Sequence, residues 1–285
     1  MLRRTVLDFD PSRDGFAFAN SFTWTPADLD ELARRLRPLA GAALGGLGAL
    51  AGGAARGPRA AALGGAAGAA AGALGGLDGA VRAVAQRWRS FGLCGGMALA
   101  AVERWAPEAR GLVARRTPTA SLEKDAVRAL VRRRQAETLR GSLLRFGALW
   151  ARARLDGTAH PPLGHQLARD VERVARQIEG GRPALLGLVG DAPDPFTNHQ
   201  VVAFGVERLA PEASGGGALG GGTGGALFHV YDPNAPGQTR HVRARPLAAD
   251  PRRTDVWTDL PTGPRARGCH LSTRPNWLAT VLHVM

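Results

Sequence analysis

The pattern of apolar residues changes once along this chain, at Arg182-Pro183, and this change constrains the fold more than any other feature. Before it, apolar residues recur every three or four positions in several segments, which predicts amphipathic helices. After it, short apolar runs at residues 184–189, 199–206 and 227–232 predict strands. Helices followed by strands indicate an α+β domain, with a mainly helical N-terminal half and an antiparallel sheet in the C-terminal half.

The first 38 residues predict a short strand and a helix. Residues 15–20 alternate between apolar and small or polar side chains, as a strand does. Thr25 is a good helix cap, Pro26 suits the first helical position, and Asp28 follows near the positive end of the helix dipole. Further helices are expected from Asp78, from Cys94 to Trp105, within 121–155 and over 163–179.

Residues 39–77 are almost entirely alanine, glycine and leucine, interrupted at residues 56–59. Each apolar arm is shorter than the ~20 residues of a membrane-spanning helix, and each glycine disfavours a helix by about 1 kcal/mol relative to alanine. We expect a flexible or loosely helical insertion, while a membrane-associated hairpin and an ordered lid stay open. The chain then divides into residues 1–38, this insertion, and a main domain over 78–285, within one globular domain overall.

The formal net charge of +13 suggests a nucleic-acid partner at first sight. The arginines are scattered in pairs and one triplet, however, and no aromatic residues alternate with them to stack on bases. Lys124 is the only lysine, a bias typical of GC-rich coding that affects the whole chain. We therefore expect solvated helix faces and no nucleic-acid partner.

The two cysteines, Cys94 and Cys269, are too few for a disulfide framework, although a single bridge between them stays open. Acidic residues rather than an apolar run follow the first arginines, so no signal peptide is expected. These features favour a cytoplasmic location, and secretion by a non-classical route stays open.

Cys94 lies between Leu93 and Gly95 at the start of a predicted helix. The positive end of a helix stabilises a thiolate, which is the reactive form of cysteine. The N–H groups there are also placed to bind an oxyanion beside the sulfur. The alternative is a structural cysteine that acts as a small hydrophobic residue.

His199 opens one predicted strand and Asp232 ends the next one, so their side chains are expected at the same edge of the sheet. A cysteine, a histidine and an acid in this order form the relay that nucleophilic catalysis by a thiol requires. Separately, each has an ordinary alternative, such as a turn aspartate before Pro233. All three residue types bind zinc, but no closely spaced ligand pair accompanies them, so neither a metal nor another cofactor is expected.

Three segments carry a resemblance to a known family: Cys94-Gly95-Gly96-Met97, Asn198-His199-Gln200-Val201-Val202 and Tyr231-Asp232-Pro233-Asn234. Together they resemble the papain-like cysteine peptidase superfamily, especially the bacterial bacteriocin-processing peptidases that cleave double-glycine leader peptides. The resemblance covers about residues 86–236. It implies a papain-like catalytic domain, Cys94 as nucleophile, His199 as base, Asp232 as the orienting acid, and a peptide or protein substrate.

The sequence departs from that family at the oxyanion hole. The family places a glutamine about six residues before the cysteine, where this chain has Trp88, so Gln86 and Ser90 are the candidates for that role. Four further residues are secondary candidates because they lie within the three segments, next to His199 or Asp232, or in the early strand: Asn20, Asn198, Tyr231 and Asn234. Asn234 is also an alternative orienting residue.

The expected function is that of a thiol hydrolase, with cleavage of peptide or amide bonds as the leading reaction. Three alternatives stay open. They are transglutaminase-like acyl transfer, a catalytically inactive papain-like binding module, and a membrane-directed effector that acts through residues 39–77.

Overall fold

The chain divides into two compact units, one formed by Met1–Ser21 with Leu93–Met285 and the other by Phe22–Gly92. The computed structural model describes residues 3–22, 25–28, 30, 92–108, 110–138, 161–189, 199–210, 224–247, 250–261 and 270–272. The predicted insertion, 39–77, belongs to the second unit and lies outside the described residues. The domain boundaries expected after residues 38 and 77 therefore stay predictions.

In the second unit, residues 26–28 begin a helix, and its start is capped as the sequence predicts. The Asp28 N–H donates to Oγ1 of Thr25 at 3.2 Å, and the Thr25 N–H donates to Oδ2 of Asp28 at 2.9 Å. This reciprocal pair satisfies two N–H groups that a helix start leaves open. Within the described residues, no helix is both long and apolar enough to cross a membrane.

The first unit contains three described helices and seven described strands. The helices are α1 (Cys94–Trp105), α2 (residues 124–138) and α3 (Pro161–Glu179), with single 3₁₀ turns at Gly111–Val113 and Thr119–Ser121. The strands are β1 (Arg4–Val6), β2 (Ala184–Val189), β3 (His199–Arg208), β4 (Ala226–Tyr231), β5 (Thr239–Leu247), β6 (Asp250–Thr258) and β7 (His270–Ser272). The α+β prediction is confirmed, since these helices precede six of the strands.

The strands form one sheet in the order β6-β5-β4-β3-β2-β7, and every described pair is antiparallel. The long strand β3 pairs with β2 near its start, with β1 near its end, and with β4 along its other edge. Val202 of β3 lies opposite Tyr231, the last residue of β4. This register brings the chain that follows β4 alongside the start of β3, where His199 lies.

Helices cover both faces of this sheet. Alternate residues of β3 point to opposite faces: Val201 and Ala203 belong to a core shared with α3, while Val202 and Phe204 pack with α1. Small residues of α1, Ala98 and Ala101, occupy that second interface. The helix that carries Cys94 therefore lies against the strand that carries His199.

The strand predicted over residues 15–20 is wrong, because these residues form turns and irregular structure. The N–H of Phe16 donates to the hydroxyl of Tyr231 at 3.1 Å, and the N–H of Asn20 donates to the carbonyl of Pro233 at 2.9 Å. Both partners lie far away in the sequence, and neither contact is part of a strand ladder. The strand in this part of the chain is β1, which the sequence analysis did not predict.

Candidate active site

Cys94 is the first residue of α1, as predicted, and neighbouring side chains hold the start of this helix. Leu93, at the capping position, makes no side-chain cap itself. Its N–H instead donates to Oδ1 of Asn20 at 2.8 Å, and the N–H of Gly96 donates to Oε1 of Gln135 in α2 at 2.9 Å. Among the described residues, the Cys94 N–H has no partner.

Gly95 and Gly96 allow α1 to pack closely against its neighbours. A Cβ on Gly95 would lie 1.9 Å from Oε1 of Gln200 in β3, and one on Gly96 would lie 2.0 Å from the carbonyl oxygen of Val131 in α2. Both distances are far below van der Waals contact. At Gly95 the side chain of Gln200 would have to move, whereas at Gly96 the contact is with backbone, so a larger residue there would push the start of α1 away from α2.

His199 and Asp232 form a buried hydrogen-bonded pair. His199 begins β3 and is 5% exposed, whereas Asp232 directly follows β4 and is 0% exposed. Nε2 of His199 lies 2.6 Å from Oδ1 of Asp232, and the same oxygen accepts the N–H of Asn234 at 2.8 Å. The two residues that the sequence analysis placed on successive strands are thus in direct contact.

Asn234 also approaches the imidazole of His199, with Nδ2 at 3.4 Å from Nε2. This contact is long for a hydrogen bond, whereas the 2.6 Å contact with Asp232 is short and carries a formal charge. The geometry therefore favours Asp232 as the residue that orients His199. Asn234 fixes the Asp232 carboxylate through its backbone N–H.

Cys94 lies beside His199, since each residue is among the causes of the other's shifted pKa. Burial raises the pKa of Cys94, but the hydrogen bond and charge of His199, together with the N–H groups of Gln200 and Gly95, lower that pKa overall. Burial also lowers the pKa of His199, yet the hydrogen bonds with Asp232 and Cys94 raise it to about 10. These opposite shifts favour the thiolate–imidazolium form of the pair over its neutral form.

Nε2 of His199 is held by Asp232, which leaves Nδ1 as the ring nitrogen available to the thiol. The residues of the relay come from a helix start, a strand start and the end of the neighbouring strand. Cys94 also remains partly exposed at this position.

Two of the secondary candidates, Asn20 and Tyr231, lie beside the relay in different ways. Asn20 contacts both Leu93, next to Cys94, and Pro233, next to Asp232. Tyr231, the last residue of β4, is fully buried against the N-terminal segment, and its hydroxyl accepts the N–H of Phe16. Burial raises the pKa of Tyr231, so this side chain is a neutral part of the core.

Three sequence-predicted candidates lie outside the described residues: Gln86, Ser90 and Asn198. Their roles stay predictions, and the same holds for Cys269. Gln135 and Gln200, by contrast, surround the start of α1, and the sequence analysis missed both. Gln200 follows His199 directly, which was an available signal, whereas no local pattern connects Gln135 with Cys94.

Arg104 is a further buried residue that the sequence analysis missed. It is 0% exposed, and its guanidinium donates to the backbone carbonyls of Arg13, Asp14, Ala114 and Thr117. The available signal was its position in α1, seven residues after Met97 and therefore on the same buried face. Arg104 thus joins the N-terminal segment to α1, the helix that begins at Cys94.

A cavity of about 640 Å³ lies at the other end of α1, where Trp105, Arg110 and Arg116 line it. It contains none of the predicted site residues. Across the described part of the chain, no group of three or more His, Cys, Asp and Glu side chains is arranged to hold a metal ion.

The chain was also compared with known proteins. No protein-family model, no curated protein and no solved structure matches it.

Proposed function

We propose that this protein is a papain-like thiol hydrolase, and that its main reaction is cleavage of peptide or amide bonds. The observation that carries the proposal is the buried 2.6 Å contact between Nε2 of His199 and Oδ1 of Asp232, next to the thiol of Cys94, whose pKa His199 lowers. Thiolate, imidazolium and carboxylate in this order are the groups that nucleophilic catalysis at an acyl carbon needs. The packing of α1 against an antiparallel sheet supports a papain-like arrangement of these groups.

The reaction follows from the charges of the relay. The Cys94 thiolate attacks the carbonyl carbon, an S–C bond forms, and the carbonyl π electrons move to oxygen. As this oxygen re-forms the carbonyl, the C–N bond breaks, and the His199 imidazolium donates its proton to the leaving amine. Neutral His199 then takes a proton from water, whose oxygen attacks the thioester carbon. Breakage of the S–C bond releases the acid and restores the thiolate–imidazolium pair.

The developing oxyanion has a donor at the start of α1. Neighbouring N–H groups are already used, because Leu93 donates to Asn20 and Gly96 donates to Gln135. The N–H of Cys94, which no described residue accepts, is adjacent to the sulfur and lies at the positive end of the helix dipole. A donor fixed before the reaction stabilises the transition state more than the ground state.

Transglutaminase-like acyl transfer uses the same first half-reaction, with an amine in place of water in the second. The two reactions differ only in what releases the acyl group. Hydrolysis is the simpler proposal, because water alone completes the cycle.

The first experiment measures the alkylation of each cysteine by iodoacetamide, resolved by peptide mass spectrometry. At pH 6–7, we expect Cys94 to react much faster than Cys269, because only a thiolate is nucleophilic. His199→Ala should remove this difference. His241→Ala is the matched control, since His241 also pairs with a carboxylate, that of Asp259, at 3.0 Å. Equally slow labelling of both cysteines in the unmodified protein would overturn the proposal.

The second experiment separates hydrolysis from the alternatives. The protein is incubated with a diverse peptide mixture, with and without an added primary amine, and the products are identified by mass spectrometry. Hydrolysis predicts new termini that disappear in Cys94→Ala. Amine-modified peptides without new termini would replace hydrolysis with acyl transfer, and a reactive Cys94 with neither product would favour a binding module.

A further inference from the structure

Asn20 connects the two halves of the thiol site. It lies in the N-terminal segment, 73 residues before Leu93, and its Oδ1 accepts the Leu93 N–H at 2.8 Å. Its own N–H donates to the carbonyl of Pro233 at 2.9 Å. Leu93 immediately precedes Cys94, and Pro233 immediately follows Asp232. One residue therefore bridges the chain next to the nucleophile and the chain next to the orienting acid.

We propose that Asn20 is a positioning residue of the thiol site. By fixing the start of α1 relative to the turn after β4, it keeps the sulfur of Cys94 within hydrogen-bonding reach of His199. The inference rests on the proposed function, since it assigns to Asn20 the maintenance of the same thiolate–imidazolium pair.

The start of α1 depends on this outside acceptor. Leu93 is 2% exposed and makes no side-chain cap of its own, so water does not readily replace Asn20 as the partner of its N–H. A buried N–H without an acceptor is strongly unfavourable. Without Oδ1 of Asn20, we expect Leu93 to shift toward another acceptor and Cys94 to move with it.

The chemistry of the side chain also fits the site. A carboxamide oxygen accepts the Leu93 N–H without adding negative charge near a thiolate. A carboxylate in its place would keep the acceptor but would repel the thiolate and raise the pKa of Cys94. Asparagine thus provides the hydrogen bond of a helix cap and leaves the charge balance of the relay unchanged.

The rest of the N-terminal segment is anchored independently of the Asn20 side chain. Phe16 is bound to Tyr231, Arg104 holds the carbonyls of Arg13 and Asp14, and β1 pairs with β3. Replacing the side chain should therefore leave the fold intact and act locally at the start of α1.

The experiment compares pH profiles of Cys94 alkylation, from pH 5 to 10, for the unmodified protein, Asn20→Ala and Asn20→Asp. For Asn20→Ala, we expect the rate at pH 6 to fall by about tenfold and the midpoint to move to higher pH, because a displaced sulfur loses the stabilisation from His199. Ser21→Ala is the matched control, since exposed Ser21 contacts Lys124 rather than the relay, and its profile should be unchanged.

Asn20→Asp keeps the acceptor and adds a negative charge, so the midpoint of its Cys94 alkylation profile should also move to higher pH. Its limiting alkylation rate at high pH should match that of the unmodified protein. If Asn20→Ala does not fold, the limiting rate of Asn20→Asp decides the question, because a retained acceptor should keep the sulfur in place. An unshifted midpoint in folded Asn20→Ala, a lowered limiting rate in folded Asn20→Asp, or a lowered melting temperature without any change in the pH profile would overturn the inference.

The two proposals fail in different ways. If Cys94 of the unmodified protein is not selectively reactive, the proposed function fails whatever the Asn20 variants do. If the unmodified protein and His199→Ala behave as proposed but the profile of Asn20→Ala is unchanged, only the role of Asn20 fails.

Discussion

Asp232→Asn isolates the contribution of one buried negative charge to the relay. The substitution keeps an oxygen at the position of Oδ1, where it still accepts from His199 and from the N–H of Asn234. Both His199 and Asp232 are almost completely buried, so solvent screens their interaction little. The main change is therefore electrostatic rather than geometric.

The magnitude follows from the kind of hydrogen bond. A bond to a charged partner contributes roughly 1.5–3 kcal/mol, and a neutral one roughly 0.5–1.5 kcal/mol. The difference of about 1–1.5 kcal/mol changes the equilibrium between the thiolate–imidazolium pair and its neutral form roughly tenfold. Asp232→Ala removes the whole bond and should change that equilibrium by roughly 10–100-fold.

The pH dependence fixes the sign of the effect. The pKa of Cys94 is lowered in the unmodified protein, so the thiolate persists as the pH falls until it passes that lowered value. Asp232→Asn lowers the pKa of His199, weakens the imidazolium and moves the thiolate midpoint to higher pH. Alkylation at pH 6 should fall roughly tenfold. The variants should converge at pH 10, above the ordinary thiol value of 9.0.

Stopped-flow or quenched alkylation of Cys94, with peptide mass spectrometry, measures these rates. The matched control is Asp259→Asn, because Asp259 pairs with His241 across β5 in the same manner but outside the relay. It should leave the Cys94 profile unchanged. Melting temperatures should show that both Asp232 variants are folded. If these folded variants alkylate Cys94 at pH 6 as fast as the unmodified protein does, an electrostatic role for Asp232 is refuted.

Two stability predictions follow from the packing around α1. Gly96→Ala should destabilise the fold by about 1–3 kcal/mol in urea unfolding, because the new Cβ would lie 2.0 Å from the Val131 carbonyl oxygen. An unchanged urea midpoint would contradict the close packing of α1 on α2. Arg104→Met leaves four backbone carbonyls without their donor and should cost about 3 kcal/mol or more. The same change at exposed Arg116 should have little effect, and equal melting temperatures for the two variants would contradict this assignment.

Local signals were sufficient for the elements that carry the relay. The predicted start of α1 at Cys94 and the strand over 184–189 match the structure, and the other two predicted strands differ from β3 and β4 by one or two residues at their ends. Apolar periodicity and the flanking glycine and proline residues determine such elements over about ten residues. The order of His199 and Asp232 on neighbouring antiparallel strands was therefore predictable.

Alternation alone was misleading over residues 15–20. The apolar side chains alternate, but the N–H groups of Phe16 and Asn20 bind the Tyr231 hydroxyl and the Pro233 carbonyl instead of a neighbouring strand. A period of two identifies which side chains can be buried, but the hydrogen-bonding partners decide whether a segment is a strand. Those partners lie in a part of the chain that no local window includes.

The sequence by itself determined that Cys94 stands at a helix start and that His199 and Asp232 follow on neighbouring strands. Only the tertiary structure decided that Asn20 holds the N–H of Leu93 from 73 residues away, that Gln135 holds the N–H of Gly96 from 39 residues away, and that Arg104 is buried. The reason is physical: periodicity reports which face of an element is apolar, whereas the pKa of a thiol depends on charges and donors brought together by folding.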